Sequence, residues 1–151
     1  ASTSPNPTVF SAGNDATNEN GSTFVFYAFA KTPGLIASGI YTGNNSSDGP
    51  MVIVDDGASG FRPAWIMFKN IDEDGYAWNI FDVARNTFNP VNTALAANNI
   101  TTESSVASYK HDILANGFKI RGDAGEINNL NKKYIYLAFA DQPFPLNNRA
   151  R

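Results

Sequence analysis

Two nearly matching stretches decide the fold: Phe24-Val25-Phe26-Tyr27-Ala28-Phe29-Ala30 and Tyr134-Ile135-Tyr136-Leu137-Ala138-Phe139-Ala140. A constant offset (134 − 24 = 110) aligns ring with ring, alanine with alanine, and Pro33 with Pro143. Seven consecutive apolar residues bounded by polar turn residues favour a strand buried on both faces over a helix. We therefore predict that residues 24–30 and 134–140 are two central strands, lying side by side in a layered β core.

The chain between these stretches predicts further short strands separated by turn-forming residues. Apolar or alternating runs place them at 36–41, 51–54, 64–69 and 76–84, the last two as a hairpin. Asn116-Gly117 predicts a type I′ turn between strands 113–115 and 118–120. Residues 86–112 are the least strand-like part: Thr93–Ala97 would make at most one helical turn, Ser104–His111 a short edge strand, and 121–133 a loop.

Many short strands with little helix indicate an all-β fold, namely an antiparallel two-sheet β-sandwich such as a jelly roll. The 151 residues fit one sandwich domain, placed at 18–151. Residues 1–17 form an N-terminal arm, either flexible or packed on a neighbouring subunit. The 110-residue offset also makes the first 30 residues look like the closing hairpin of a preceding copy of the same module.

Composition excludes several classes of function. A net charge of −3 argues against nucleic-acid binding, which needs a basic patch. The absence of cysteine removes disulfides, thiolate chemistry and cysteine-bound zinc. No apolar run reaches the ~18 residues of a membrane-spanning helix, so membrane insertion is not expected. Only 17% of the residues are charged, so neutral polar groups must cover most of the surface.

A set of ordered motifs resembles a module that recurs in tail-fibre-like and other virion proteins of tailed bacteriophages. In chain order these motifs are Tyr27-Ala28-Phe29-Ala30, Gly39-x-Tyr41-x-Gly43-Asn44, Asp48-Gly49-Pro50, Gly60-Phe61-Arg62-Pro63-Ala64-Trp65 with Lys69, Trp78-x-x-x-Asp82-x-x-Arg85, Leu114-x-Asn116-Gly117-Phe118-Lys119-x-Arg121 and the 134–140 stretch. The resemblance covers roughly residues 18–151. It implies a concanavalin A-like (lectin or glucanase-type) β-sandwich and a structural or adhesive role in a virion, outside the cell. It carries no binding residue over to this chain.

The acidic residues do not suggest catalysis. A glycosidase needs two carboxyl groups facing each other across a cleft, whereas the acids here sit in turns at 55–56, 72–74, 123 and 126, or singly on a strand. His111, the only histidine, has no Ser or Cys partner motif for a triad. Asp72-x-Asp74-Gly75 opens like a calcium loop but lacks the later oxygen donors. We predict no catalytic residue, no metal site and no cofactor.

The best candidate for ligand binding is a polar and aromatic patch of Tyr76, Trp78, Asp82 and Arg85. Asp82 shares a strand face with Trp78, so it should be partly buried and need a partner. Arg85 or Arg62 can supply one. A structural ion pair is the preferred interpretation, and a sugar-binding patch is the alternative.

Three functions remain in competition. The first, which the sequence slightly favours over the second, is a surface-displayed adhesion or receptor-binding module that recognises a host glycan. The second is a capsid or tail decoration (cement) protein that stabilises the virion, and the third, a glycan-cleaving enzyme, ranks well behind. Expected partners are other copies of the chain in a homo-oligomer, a trimer by analogy with fibres, and other virion proteins.

Overall fold

The computed structural model of the protein describes residues 12–13 and 18–143. The described residues form nine strands and one short helix: β1 (Ile36–Thr42), β2 (Met51–Ile53), β3 (Pro63–Asn70), β4 (Asn79–Asp82), β5 (Thr93–Ala96), β6 (Ser104–Ser105), β7 (His111–Leu114), β8 (Gly117–Ile120), α1 (Gly125–Asn128) and β9 (Lys133–Ala140). A single 3₁₀ turn covers Ala107–Tyr109. No helix in these ranges is long and apolar enough to cross a membrane.

The strands form two antiparallel sheets. One has six strands in the order β1-β9-β3-β4-β5-β6, and the other has three in the order β2-β8-β7. Rings from the two sheets meet between them: Phe68 of β3 lies 5.1 Å from Phe118 of β8, and Tyr136 of β9 lies 5.4 Å from Phe118. The predicted all-β two-sheet sandwich is confirmed.

β9, the second of the two matching stretches, is the central strand that the sequence predicts. It pairs with β1 on one side and with β3 on the other. Tyr134, Tyr136 and Ala138 face the core and are almost fully buried. Ala138 lies opposite both Ala37 and Ile66. Two neighbouring strands and the opposing layer thus enclose β9.

The prediction for the first matching stretch is wrong. Residues 22–31 belong to no strand or helix and are exposed throughout. Tyr27 keeps 82% of its surface and Val25 keeps 78%. The reason is that β9 already occupies the place between β1 and β3. A strand of the same residue type therefore has no second interior position in one copy of this fold.

Four smaller predictions also need correction. Thr93–Ala96 is strand β5 and not a helical turn, because it pairs with β4 and β6. Only Ser104–Ser105 of the predicted 104–111 strand forms β6, and the predicted 121–133 loop contains α1. The β7–β8 hairpin exists, but its turn is at 115–116 and neither Asn116 nor Gly117 has a positive φ.

Gly117 is required for a different reason than the sequence indicates. A Cβ at this position would lie 2.0 Å from the carbonyl oxygen of Val52 in β2. The missing side chain therefore allows β2 to approach β8 and complete the smaller sheet.

The predicted N-terminal arm, residues 1–17, lies outside the described residues except for Ala12 and Gly13.

Candidate functional site

The outer face of the six-stranded sheet, on the side away from the smaller sheet, is apolar at its centre. Along β3, Trp65 and Met67 alternate with the buried Ile66 and Phe68. Along β9, the outward residues Ile135, Leu137 and Phe139 are half-buried in the same way. Strands that are apolar on both faces need cover on both faces. The smaller sheet covers only one of them.

Residues 24–30, which we call the apolar segment, cover part of this outer face. The ring of Phe29 contacts the ring of Phe139 edge-on with 5.6 Å between centroids. Phe139 in turn contacts Trp65 at 5.3 Å. Between the segment and the sheet lies a groove of about 720 Å³, with walls that are mainly aromatic and aliphatic. We call it the outer-face groove.

The apolar segment also carries exposed apolar side chains of its own. Phe24, Phe26 and Phe29 are 47%, 66% and 51% exposed, in addition to Val25 and Tyr27. Monomeric soluble proteins rarely expose contiguous apolar patches larger than a few hundred Å². The five exposed apolar side chains of this segment make it a candidate for such a patch.

Polar contacts fix the point where the apolar segment leaves the sandwich. Lys31 forms an ion pair with Asp55 at 2.6 Å. The carboxylate of the buried Asp56 accepts hydrogen bonds from the backbone N–H groups of Gly34, Ala58 and Gly60, at 2.9, 2.8 and 3.1 Å. Burial alone would raise the pKa of Asp56, but these hydrogen bonds outweigh it and the pKa is lowered. The segment is therefore anchored at one end by charge.

Trp78, one of the predicted site residues, lines two pockets. It borders the outer-face groove and also a shallow polar depression of about 360 Å³ lined by residues 69–74. The depression contains Lys69 and the acids of the 72–74 turn. Trp78 thus stands between an apolar and a polar surface.

Two of the three acids in that depression, Asp72 and Glu73, accept hydrogen bonds from other parts of the chain. Glu73 accepts from Asn129 and Asn70, and these contacts, with Lys132 nearby, lower its pKa. Asp72 accepts from the backbone N–H of Lys133 at 2.8 Å. A catalytic general acid needs a raised pKa, so the Glu73 carboxyl does not suit that role.

The other predicted site residues form two separate structural groups. Asp82 and Arg85 make an ion pair at 2.6 Å, with side chains only 22% and 18% exposed. Asp82 also accepts the backbone N–H of Ala84 and of Arg85, while Arg85 donates to the carbonyl of Ile80. This is the structural pairing that we preferred from the sequence. Arg62 binds Asp141 instead.

Tyr76 points away from Trp78. Its hydroxyl accepts a hydrogen bond from the side chain of Asn129 at 3.2 Å and lies against Gly125 in α1. The structure therefore brings Asp82 and Arg85 together but does not unite the four residues in one patch. Ligand binding by these residues stays a prediction.

A small polar pocket lies near α1 and β5. It encloses about 260 Å³, and its lining includes Tyr109, Glu126, Thr101 and Asn79. Burial, together with a hydrogen bond to Glu126, raises the pKa of Tyr109. Glu126 is the only acid in its lining. The pocket therefore lacks the pair of facing carboxyl groups that glycoside hydrolysis requires.

His111 is buried in the core between Phe68 and Phe81 and has no access to a substrate. Its Nδ1 lies 3.1 Å from the carbonyl oxygen of Tyr109, and its Nε2 has no hydrogen-bond partner among the residues that the structure describes. Burial lowers the pKa of His111 to about 4. In the described ranges, no group of three or more His, Asp or Glu side chains could hold a metal ion.

The outer-face groove is not predicted from the sequence. A signal for it was present, because both β3 and β9 are apolar on both faces, and such strands require cover on the side opposite the core. The identity of that cover could not be read from the pattern.

A family model described as a domain of unknown function, DUF7483, matches residues 1–143. No curated protein and no solved structure matches the chain.

Proposed function

We propose that this chain, which belongs to the DUF7483 family, is a non-enzymatic structural module of a bacteriophage virion that attaches to neighbouring protein subunits through its outer sheet face. The observation that carries the proposal is the apolar segment, five of whose residues expose large apolar side chains. The resemblance of the ordered motifs to phage virion modules supplies the setting.

Two features support an assembly role. First, the outer face of the six-stranded sheet has an apolar centre under the groove, and apolar surface buried between subunits is what stabilises lasting protein assemblies. Second, the titratable groups near the surface are engaged in ion pairs and hydrogen bonds that lower several carboxyl pKa values. Groups held in this way fit a stable building block better than a catalyst.

The alternative is an adhesion or receptor-binding module of a tail-fibre-like protein. Trp78 beside the polar depression at 69–74 favours it, since an aromatic ring next to carboxylates and amides is a common arrangement for stacking a sugar and binding its hydroxyls. The depression is shallow, and much of its polar surface is already hydrogen-bonded within the chain. The assembly role therefore remains the preferred proposal.

One binding experiment separates the two functions. The purified chain is incubated with particles of the encoding phage that lack it and, separately, with glycans from the host surface. The assembly role predicts binding to particles and loss of that binding in the double variant Val25→Asp/Tyr27→Asp. The adhesion role predicts glycan binding that Trp78→Ala removes.

Phe88→Asp is the matched control, because Phe88 is 85% exposed and lies outside both surfaces. It should leave either kind of binding unchanged. Binding to neither particles nor glycans would contradict both functions.

A further inference from the structure

The apolar segment has the residue pattern of a central strand of this same sandwich but does not occupy one. Its seven residues match residues 134–140 of β9 at a constant offset, and β9 is hydrogen-bonded on both edges. Every copy of the domain therefore has a position between β1 and β3 that accepts a strand with this residue pattern. Within one copy, β9 already fills it.

Among the described residues, β1 offers an open sheet edge of the same length. The backbone of Ile36 is bonded to Thr32 on the side away from β9. Because backbone groups alternate along a strand, those of Ser38, Ile40 and Thr42 also point to that side. No strand in 12–13 or 18–143 pairs with this edge beyond the single Thr32–Ile36 bridge.

The sequence of β1 lacks the features that protect an edge strand. Natural edges usually carry lysine, proline or a bulge, which prevent pairing with another chain. β1 reads Ile-Ala-Ser-Gly-Ile-Tyr-Thr, with no charge and no proline, and Ile40 is 60% exposed. This edge is suited to receive a further strand.

The segment of the same chain is poorly placed to fill that edge. If the Thr32–Ile36 bridge were extended as a hairpin, Lys31 would lie opposite Ala37. Ala37 is completely buried on the core face, so the lysine would have to point into the core side of the sheet. Lys31 instead pairs with Asp55 outside the sheet.

Replacement of β9 by the segment is also unfavourable. The hydroxyl of Tyr134 accepts the backbone N–H of Asn129 at 2.7 Å, and that of Tyr136 accepts the backbone N–H of Asp55 at 3.0 Å. The equivalent residues of the segment are Phe24 and Phe26, which have no hydroxyl. An exchange would leave two N–H groups without acceptors.

We propose that residues 24–30 of one copy add as an extra strand to the open edge of β1 in a second copy of this chain. Because the two strands then belong to different copies, the Thr32–Ile36 bridge within one copy does not fix the register in which residues 24–30 pair with β1. Phe24, Phe26, Ala28 and Ala30 can then face the core side, as their counterparts do in β9. Strand addition supplies main-chain hydrogen bonds for the edge of β1 and removes apolar rings from water.

This inference rests on the proposed function and deepens it, since it names a second copy as one neighbouring subunit. Its test is sedimentation velocity of the full 151-residue chain between about 1 µM and 1 mM. We expect association that grows with concentration. Ala28→Pro should abolish it, because proline removes a backbone donor and disfavours a paired strand. Ala28 is exposed and outside any strand, so the variant should keep the thermal stability of the monomer.

A second variant tests the receiving edge. Ile40→Lys should also abolish association, and Ile53→Lys is its matched control, because Ile53 is 55% exposed on β2, an edge strand of the other sheet. Hydrogen exchange should become slower at the amides of Ser38 and Ile40 as association increases. A chain that stays monomeric throughout, or one whose association survives both Ala28→Pro and Ile40→Lys, would overturn the inference.

The two proposals fail in different ways. A monomeric chain that still binds phage particles would remove the strand addition and leave the proposed function standing. A chain that self-associates but binds no particles would contradict the proposed function and leave the strand addition standing.

Discussion

Phe29 packs edge-on against Phe139, its own counterpart at the 110-residue offset, with 5.6 Å between ring centroids. One residue of the apolar segment thus contacts the strand whose pattern it repeats, from outside the sheet. Edge-to-face aromatic pairs contribute beyond the area that they bury. This contact helps to hold the segment over the outer-face groove.

The first prediction concerns this aromatic pair. Phe29→Ala and Phe139→Ala should show a coupling energy of about 0.5–1.5 kcal/mol in a double-mutant cycle, because each ring provides the other with an aromatic partner. The measurement is urea unfolding of the two single variants, the double variant and the original chain. Phe88→Ala, at a site that is 85% exposed, should change stability by no more than about 0.5 kcal/mol. Additive effects of the two ring deletions would contradict the contact.

The second prediction concerns pH. Burial holds His111 neutral in the folded state with a pKa of about 4, whereas an unfolded histidine has a pKa of about 6.5. The unfolded state therefore binds the additional proton. The contribution of His111 to stability is complete above pH ~6.5 and is lost as the pH falls towards 4, by up to about 3 kcal/mol.

The check is urea unfolding of the original chain and of His111→Phe at a series of pH values from 7 to 4. The free energy of unfolding of the original chain should fall relative to that of the variant over this range. Carboxyl groups titrate in both proteins, so the difference isolates the histidine. A constant difference would show that His111 gains its proton equally in both states.

The third prediction concerns Asp56. Asp56→Asn should destabilise the fold by about 1–3 kcal/mol at neutral pH, because a charged acceptor of three backbone N–H groups is lost. Since folding lowers the pKa of Asp56, its contribution is present above the usual aspartate range near pH ~3.9 and declines as the pH falls through the folded pKa.

Thermal unfolding of the two proteins at pH 7 and at pH 3 measures both effects. The difference in melting temperature between the original chain and Asp56→Asn should be smaller at pH 3 than at pH 7. Asp74→Asn is the control, because Asp74 is an exposed turn residue. An equally large loss in that variant would mean that the Asp56 contacts are not the cause.

The fourth prediction concerns the junction of β2 and β8. Gly117→Ala places a methyl group 2.0 Å from the carbonyl oxygen of Val52, so the two strands must separate. The expected cost is about 2 kcal/mol or more, in the range of an overpacked core. A Cβ at Gly13 meets nothing within 4 Å, so Gly13→Ala should leave the melting temperature almost unchanged. Equal melting temperatures for the two variants would argue against the close approach.

The sequence predicts strands better than it predicts their partners. Residues 134–140 and 24–30 have the same pattern, yet only the former lies between β1 and β3. The apolar pattern of a strand predicts that both of its faces are buried. It does not predict which other segment of the chain covers each face. The tyrosine hydroxyls at 134 and 136 are the local difference, because they satisfy backbone donors that phenylalanine cannot.

The same limit applies to the candidate site. Alternation along 76–84 correctly places Trp78 and Asp82 on one side of the sheet and Asn79 and Phe81 on the core side. It fails for Tyr76, which precedes the first residue of β4 and turns towards α1. Alternation holds only within a strand, and the start of β4 depends on its pairing with β3 and β5.

The position of β9 has a consequence for how the chain folds during synthesis. It is the last strand of the described sequence to leave the ribosome, yet it joins β1 to β3, and its pairing of Ile36 with Phe139 spans about two thirds of the chain. Long-range pairing of this kind slows folding. Until residue 140 emerges, β1 and β3 lack the strand that joins them, and unpaired strand edges of this kind make a nascent chain prone to aggregation.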